Sequence, residues 1–128
     1  MHHEITFDKT ETFVTIRTSG ELTFEGHRLF LDELIAHPEW KPGTDVLVDH
    51  RAASLAAITL DDIKSISLLV KLSNEYIGSG GRCAIILSDN AEFTKVAMWK
   101  VITAQAVGFK IEYFDSFEDG KKWLCEGR

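Results

Sequence analysis

Cysteine is scarce in this chain, with two residues, Cys83 and Cys125, standing in no spacing motif. Two isolated thiols cannot build the disulfide framework of a small secreted domain, and they fit a reducing compartment. Cationic side chains are also in deficit, 14 against 20 aspartates and glutamates, for a formal charge of -6. That balance leaves no excess of cations to neutralise phosphates, which argues against nucleic acid and anionic membranes as partners. A basic protein surface stays open. No apolar run approaches membrane-spanning length, and the opening MHHEITFDK has no basic region followed by an apolar segment. The expectation is a cytoplasmic protein without a membrane span.

Catalytic signatures are equally thin. His2, His3, His27, His37 and His50 show neither an HExxH motif nor paired Cys-His spacing, so no metal and no other cofactor is expected. There is no Gly-x-Ser-x-Gly elbow, and neither cysteine has an identifiable histidine partner. Gly78-Ser79-Gly80-Gly81 has the look of a phosphate loop, but it follows a helical pattern and precedes a strand. The free groups at a helix C-terminus are carbonyls, which repel phosphate, so the glycines read as a cap and turn.

What is present is the makeup of one ordered domain. Hydrophobic residues supply 45% of the 128 positions and charged residues 27%, enough to bury a core without disulfide or metal staples. Ile5 and Phe7 alternate with polar neighbours, and Phe13-Val14-Thr15-Ile16-Arg17 alternates again after a polar turn, which predicts a β-hairpin. Gly20 is expected to break its second strand. Phe24, His27, Leu31, Leu34 and Ile35 follow at helical spacing, and His37-Pro38 stops that helix. Val46-Leu47-Val48 and Cys83-Ala84-Ile85-Ile86-Leu87 are apolar on both faces, the pattern of parallel strands covered on both sides.

Between those two strands, Thr59 and Asp62 have the spacing of a capped helix start, with Leu60, Ile63, Ile66, Val70 and Ile77 along one side. Ser88, Asp89 and Asn90 are cap residues for another helix, with Phe93, Val96, Ala97, Val101 and Ala104 as its apolar stripe and Gly108 as its stop. Ile111 to Phe114 predicts a last strand, and Asp115-Ser116 caps a final helix carrying Phe117, Trp123 and Leu124. The order β-β-α-β-α-β-α-β-α predicts an α/β fold in a single domain spanning 1–128. Its sheet is mixed and mostly parallel, with an N-terminal hairpin and helices covering the sheet.

Ligands of such sheets gather beyond the carboxyl ends of the strands. Two segments qualify, Asp49 to Thr59 and Ser88 to Glu92, each leading into a helix N-terminus able to hold an anion. They nominate Asp49, His50, Arg51, Ser54, Thr59, Ser88, Asp89 and Asn90 as a ligand or partner surface. Asp49-His50-Arg51 could supply an acid, a base and an anion clamp, but neighbours at a strand end point in different directions and no nucleophile is tied to them. The preferred reading has Asp49 accepting loop N–H bonds or pairing with Arg51, and no catalytic residue. Trp40 and Trp123 read as buried anchors. Trp99 has the same ordinary reading as a buried anchor, but it lies off its helix stripe beside Met98, which also makes it the candidate contact for a partner or for a second copy in a homodimer.

The hairpin, the strand ending Asp49-His50-Arg51 and the closing Asp115-Ser116-Phe117-Glu118-Asp119-Gly120-Lys121-Lys122-Trp123-Leu124 together resemble the SpoIIAA-like proteins. These are relatives of the STAS domain of anti-sigma factor antagonists and of the lipid-binding Sec14 fold. The resemblance covers the whole chain in element order. In STAS antagonists it implies a phosphorylated serine in an Asp-Ser-Ser/Thr-Gly stretch at the start of the helix after this strand. Here that region reads Ala56-Ala57-Ile58-Thr59-Leu60-Asp61-Asp62, without the motif. Thr59 and Ser54 are the hydroxyls nearest the place, and capping already explains Thr59.

The expected function is a non-catalytic binding or regulatory module that docks a protein partner. A small carrier or sensor of an apolar or anionic, lipid-like ligand is the alternative, and an enzyme ranks last. Against the carrier stands the expectation that a core of this size has little spare volume, so that a pocket would need a dimer interface or a loosened helix.

Overall fold

The alternation at the N-terminus forms β1, His2–Phe7, antiparallel to β2, Phe13–Glu21. The reversal is fixed by Asp8, whose carboxylate accepts the Thr10 amide at 2.9 Å. The computed structural model describes residues 1–88, 95–97, 99–100 and 109–127. Within them β3 spans Asp45–Ser54, β4 Arg82–Ile86 and β5 Lys110–Phe114. The sheet runs β1-β2-β3-β4-β5, with every pair after the hairpin parallel.

Spatial order follows chain order, so right-handed crossovers place the connecting helices on one face of the sheet. Helix α1, Phe24–Ala36, starts at Thr23, whose hydroxyl accepts the Gly26 amide at 3.0 Å. It buries His27, Phe30, Leu31 and Leu34 against Val14, Ile16, Val46, Val48 and Ile85. Helix α2, Leu60–Leu72, opens with a complete capping box between Thr59 and Asp62 and buries Ile63 and Ile66. Leu60, expected on that buried side, is instead 41% exposed, while Ile63 in the same turn is buried. The helix breaks at Ser73 before the short α3, Asn74–Ile77. Gly78 follows at φ +84°, where a Cβ would stand 2.5 Å from the Gly43 amide nitrogen, so glycine is required there.

The C-terminal helix Phe117–Cys125, capped by the Ser116 hydroxyl, covers the opposite face. There Leu124 meets Phe13, Leu47, Ala84 and Ile86. Val46 and Val48 thus face α1 while Leu47 faces the C-terminal helix, which is why this strand had to be apolar on both sides. Burying each such side chain contributes about 1.5–3 kcal/mol.

Two expectations about irregular segments are corrected. Gly20 does not end β2, because at φ +82° it lets pairing continue through Gly20 with Ala53 and Glu21 with Ser54. Asp49-His50-Arg51 is accordingly not the exit from a strand but lies inside β3. Arg17 pairs with Asp49 and Ser19 with Ala52, so two steps along β2 span three along β3. The extra residue is a β-bulge at His50-Arg51, opposite Thr18.

Candidate functional site

Alternation along β3 divides Asp49-His50-Arg51 between the two faces. Asp49 follows Leu47 to the side of the C-terminal helix, where its buried carboxylate is gripped by Arg51. The guanidinium donates from Nε at 2.9 Å and from Nη2 at 2.8 Å, and the Arg51 amide donates at 3.1 Å. Arg17 adds a second cation, its Nε 3.9 Å from the carboxylate. Both guanidiniums lie 5.7 Å from the centre of the Phe117 ring. Burial pushes the Asp49 pKa up, but the hydrogen bonds and charge of Arg51 outweigh it, and the net shift is downward. Asp49 is therefore a fixed carboxylate that clasps β3 and β2 to the C-terminal helix, as the pairing expectation had it.

His50 points the other way, into the layer between the sheet and the helices. Its Nδ1 is 2.6 Å from the Thr18 hydroxyl, which with its one proton and two lone pairs can serve either tautomer. His27 reaches the same place from α1, with ring centres 5.5 Å apart, and Trp99 packs against both rings at 5.3 and 6.1 Å. Burial lowers the pKa of His27 to about 4 and of His50 to about 3, the neighbouring imidazole adding to the second shift. Both are neutral at physiological pH.

The two histidines and Trp99 line a cavity of about 120 Å³ that continues between α1, α2 and the sheet along Phe30, Ile66 and Ile85. Its exposed lining is almost wholly apolar. Cys83 also borders it, and burial pushes that thiol up to about 12, leaving no thiolate for chemistry near neutrality. Arg82 borders it through its backbone end of β4. Its guanidinium is turned to the other face, donating to the carbonyls of Trp123 at 2.9 Å and Glu126 at 2.6 Å. Of the two routes to a pocket expected from the sequence, a dimer interface or a loosened helix, the single chain shows the second, a gap that the helices leave over the sheet.

No protein-family model matches the chain, and no curated protein matches it either. Among solved structures it is similar to an uncharacterized protein of the DUF3478 family with a SpoIIAA-like fold, from Shewanella loihica PV-4. The similarity covers 97% of this chain and 93% of that one, at 22% identity and a TM-score of 0.57. The fold is SpoIIAA-like. Its element order, mostly parallel sheet and separate C-terminal helix agree with the architecture read from the sequence.

This fold scatters the residues nominated from the sequence. His50 and Trp99 meet at the cavity, while Asp49 and Arg51 lie across the sheet from them. Trp99 is buried at 6% exposure, the anchor of the ordinary reading and not the outward partner or dimer contact suggested by its position. The buried side of its helix passes through Val96 and Trp99 rather than through Ala97, which is exposed. Ser54 is exposed at the end of β3, its hydroxyl accepting the Ala56 amide at 3.1 Å. The Thr59 hydroxyl accepts the Asp62 amide at 3.1 Å, the capping role expected of it. Ser88 is half-buried after β4, and Asp89 and Asn90 lie outside the described residues, as do Met98 and the predicted Gly108 stop. Among the described residues no cluster of His, Cys, Asp and Glu could hold a metal, and no helix is long and apolar enough to cross a membrane.

Sequence reasoning missed Thr18, Arg17 and the role of His27. The signal for His27 was available: a histidine four residues after a helix cap, on an otherwise apolar stripe, can donate back to its own helix.

Proposed function

We propose that this chain is a cytoplasmic, non-catalytic binding module that carries or senses one small, mostly apolar molecule held between the sheet and helices α1 and α2. The carrying observation is the cavity of about 120 Å³ with two neutral, buried histidines at one end. An engineered apolar cavity of about 150 Å³ is known to stay dry and to bind benzene, so the size is right for a ligand of roughly that bulk. Packed interiors have few voids larger than a water molecule, and a void of this size is costly unless something is gained by keeping it. The reading is favoured over a reactive site because, among the described residues, no charged side chain faces the space, Asp49, Arg51 and the Arg82 guanidinium lying across the sheet, and the Cys83 thiol that borders it stays protonated.

A second reading, docking of a protein partner or a second copy, is favoured by a different observation. Leu60, Leu68 and Leu72 of α2 and Tyr76 of α3 are large apolar side chains with exposures of 41%, 55%, 72% and 55%. Native mass spectrometry of the freshly purified protein separates the two readings. A co-purifying small molecule released on activation supports the carrier. A bare monomer that also takes up no added benzene or toluene contradicts it, and a dimer with no small molecule supports docking.

A further inference from the structure

The proposed binding reading leaves the chemistry of the occupant open, and one ring nitrogen narrows it. His27 Nδ1 lies 2.9 Å from the Thr23 carbonyl oxygen, one turn back in its own helix. A carbonyl only accepts, so Nδ1 carries the ring proton, and Nε2 of the neutral imidazole is left with a lone pair and no proton. Nε2 is buried and has no hydrogen-bond partner among the described residues. A buried acceptor without a donor is costly, and such exceptions in folded proteins ask for an explanation. The ring cannot swing to find a donor elsewhere. Its Nδ1 is tied to α1, and Phe30, His50 and Trp99 pack around it at centroid distances of 5.0, 5.5 and 5.3 Å. The edge bearing Nε2 is the one turned away from the Thr23 carbonyl, and His27 lines the cavity.

We infer that the occupant is a neutral, largely hydrocarbon molecule bearing one hydroxyl, which donates its proton to His27 Nε2 while the rest of the molecule lies along Phe30, Ile66 and Ile85. This rests on the binding reading above and adds ligand class to it. Ionised acids fit poorly, because a carboxylate would bring a second lone pair against Nε2 and, among the described residues, no cation faces the cavity to compensate. A plain hydrocarbon fits the walls but leaves the acceptor unpaired. A small phenol or alcohol satisfies both.

The test compares phenol with its near-isostere toluene, titrated into wild-type protein and into His27→Phe, which keeps an aromatic ring and removes the acceptor. Taking the ratio of the two affinities cancels their different costs of leaving water, so the change in that ratio isolates the hydrogen bond. The ratio should shift toward toluene by about three- to tenfold in the variant, the span of a typical net hydrogen bond. Should His27→Phe fail to fold, the wild-type protein answers alone: the ¹⁵N resonance of Nε2 should move to lower frequency with phenol and stay in place with toluene. Saturable binding of both probes with an unchanged ratio, or with an Nε2 signal that phenol does not move because a bound water keeps it occupied, overturns the hydroxyl inference and leaves the binding reading standing. Binding of neither probe at millimolar concentration overturns both.

Discussion

Acid should weaken this protein long before its carboxylates titrate. His27 and His50 have folded pKa values of about 4 and about 3, against an ordinary 6.5, chiefly because burial penalises the imidazolium. In the unfolded chain both regain the ordinary value. Between pH 6.5 and the folded pKa values, the unfolded state therefore binds more protons than the folded one, and stability falls as pH falls. The contribution is intact above pH 6.5 and is lost progressively down to about pH 4 for His27 and about pH 3 for His50. From pH 7 to 5, each histidine loses about 2 kcal/mol, the slope approaching roughly 1.4 kcal/mol per pH unit once the unfolded imidazole is protonated, and the two lose about 4 kcal/mol together. That is a large share of the 5–15 kcal/mol or so typical of a domain. Asp49 and Asp62, whose pKa values are lowered, act only below the ordinary 3.8 and do not contaminate this window. Urea unfolding followed by tryptophan fluorescence at pH 7 and pH 5 measures the loss, and His27→Phe should roughly halve it. A loss below about 1 kcal/mol, or a full loss that persists after both histidines are replaced by phenylalanine, would refute the assignment of two buried neutral imidazoles.

Three further outcomes follow from the packing. Thr59→Ala removes one half of the capping box and should cost about 1 kcal/mol in urea unfolding while leaving ligand uptake unchanged, since Thr59 does not border the cavity. Asp49→Asn keeps the shape but discharges the partner of Arg51 and Arg17. A loss of about 1–3 kcal/mol is expected, with the C-terminal helix showing the greater rise in amide exchange. Gly120→Ala would put a Cβ 2.5 Å from Ile86 Cδ1 beneath that helix and should cost about 1–3 kcal/mol, seen as a lower thermal midpoint.

The architecture was legible because its signals are local. Val46-Leu47-Val48 announces a strand buried on both faces, Thr59 with Asp62 announces a helix start, and Ser116 announces another; each is decided by residues within a turn or two. The length of β3 was not legible, because His50, Arg51 and Ala52 have the composition of a loop. What makes them strand is pairing with β2 across a bulge, where Thr18, 32 residues away in sequence, receives the His50 ring. For Trp99 the ordinary reading as a buried anchor holds, and the partner reading fails for a related reason. Helical counting from Phe93 set the stripe, whereas the rings of His27 and His50 decide which side is buried. The cavity had no signature at all, since it is a gap between elements far apart in the chain rather than a property of any segment. The site's chemistry was half legible: the pairing of Asp49 with Arg51 was read from the sequence, and the His27 acceptor was not.

The most direct test of the central claim is a methyl-resolved NMR titration with benzene. Binding between the sheet and α1 and α2 predicts saturable shifts at Val48, Ile66 and Ile85, with Leu47 and Leu124 across the sheet staying in place. Shifts absent at every concentration, or spread equally over both faces, would contradict it.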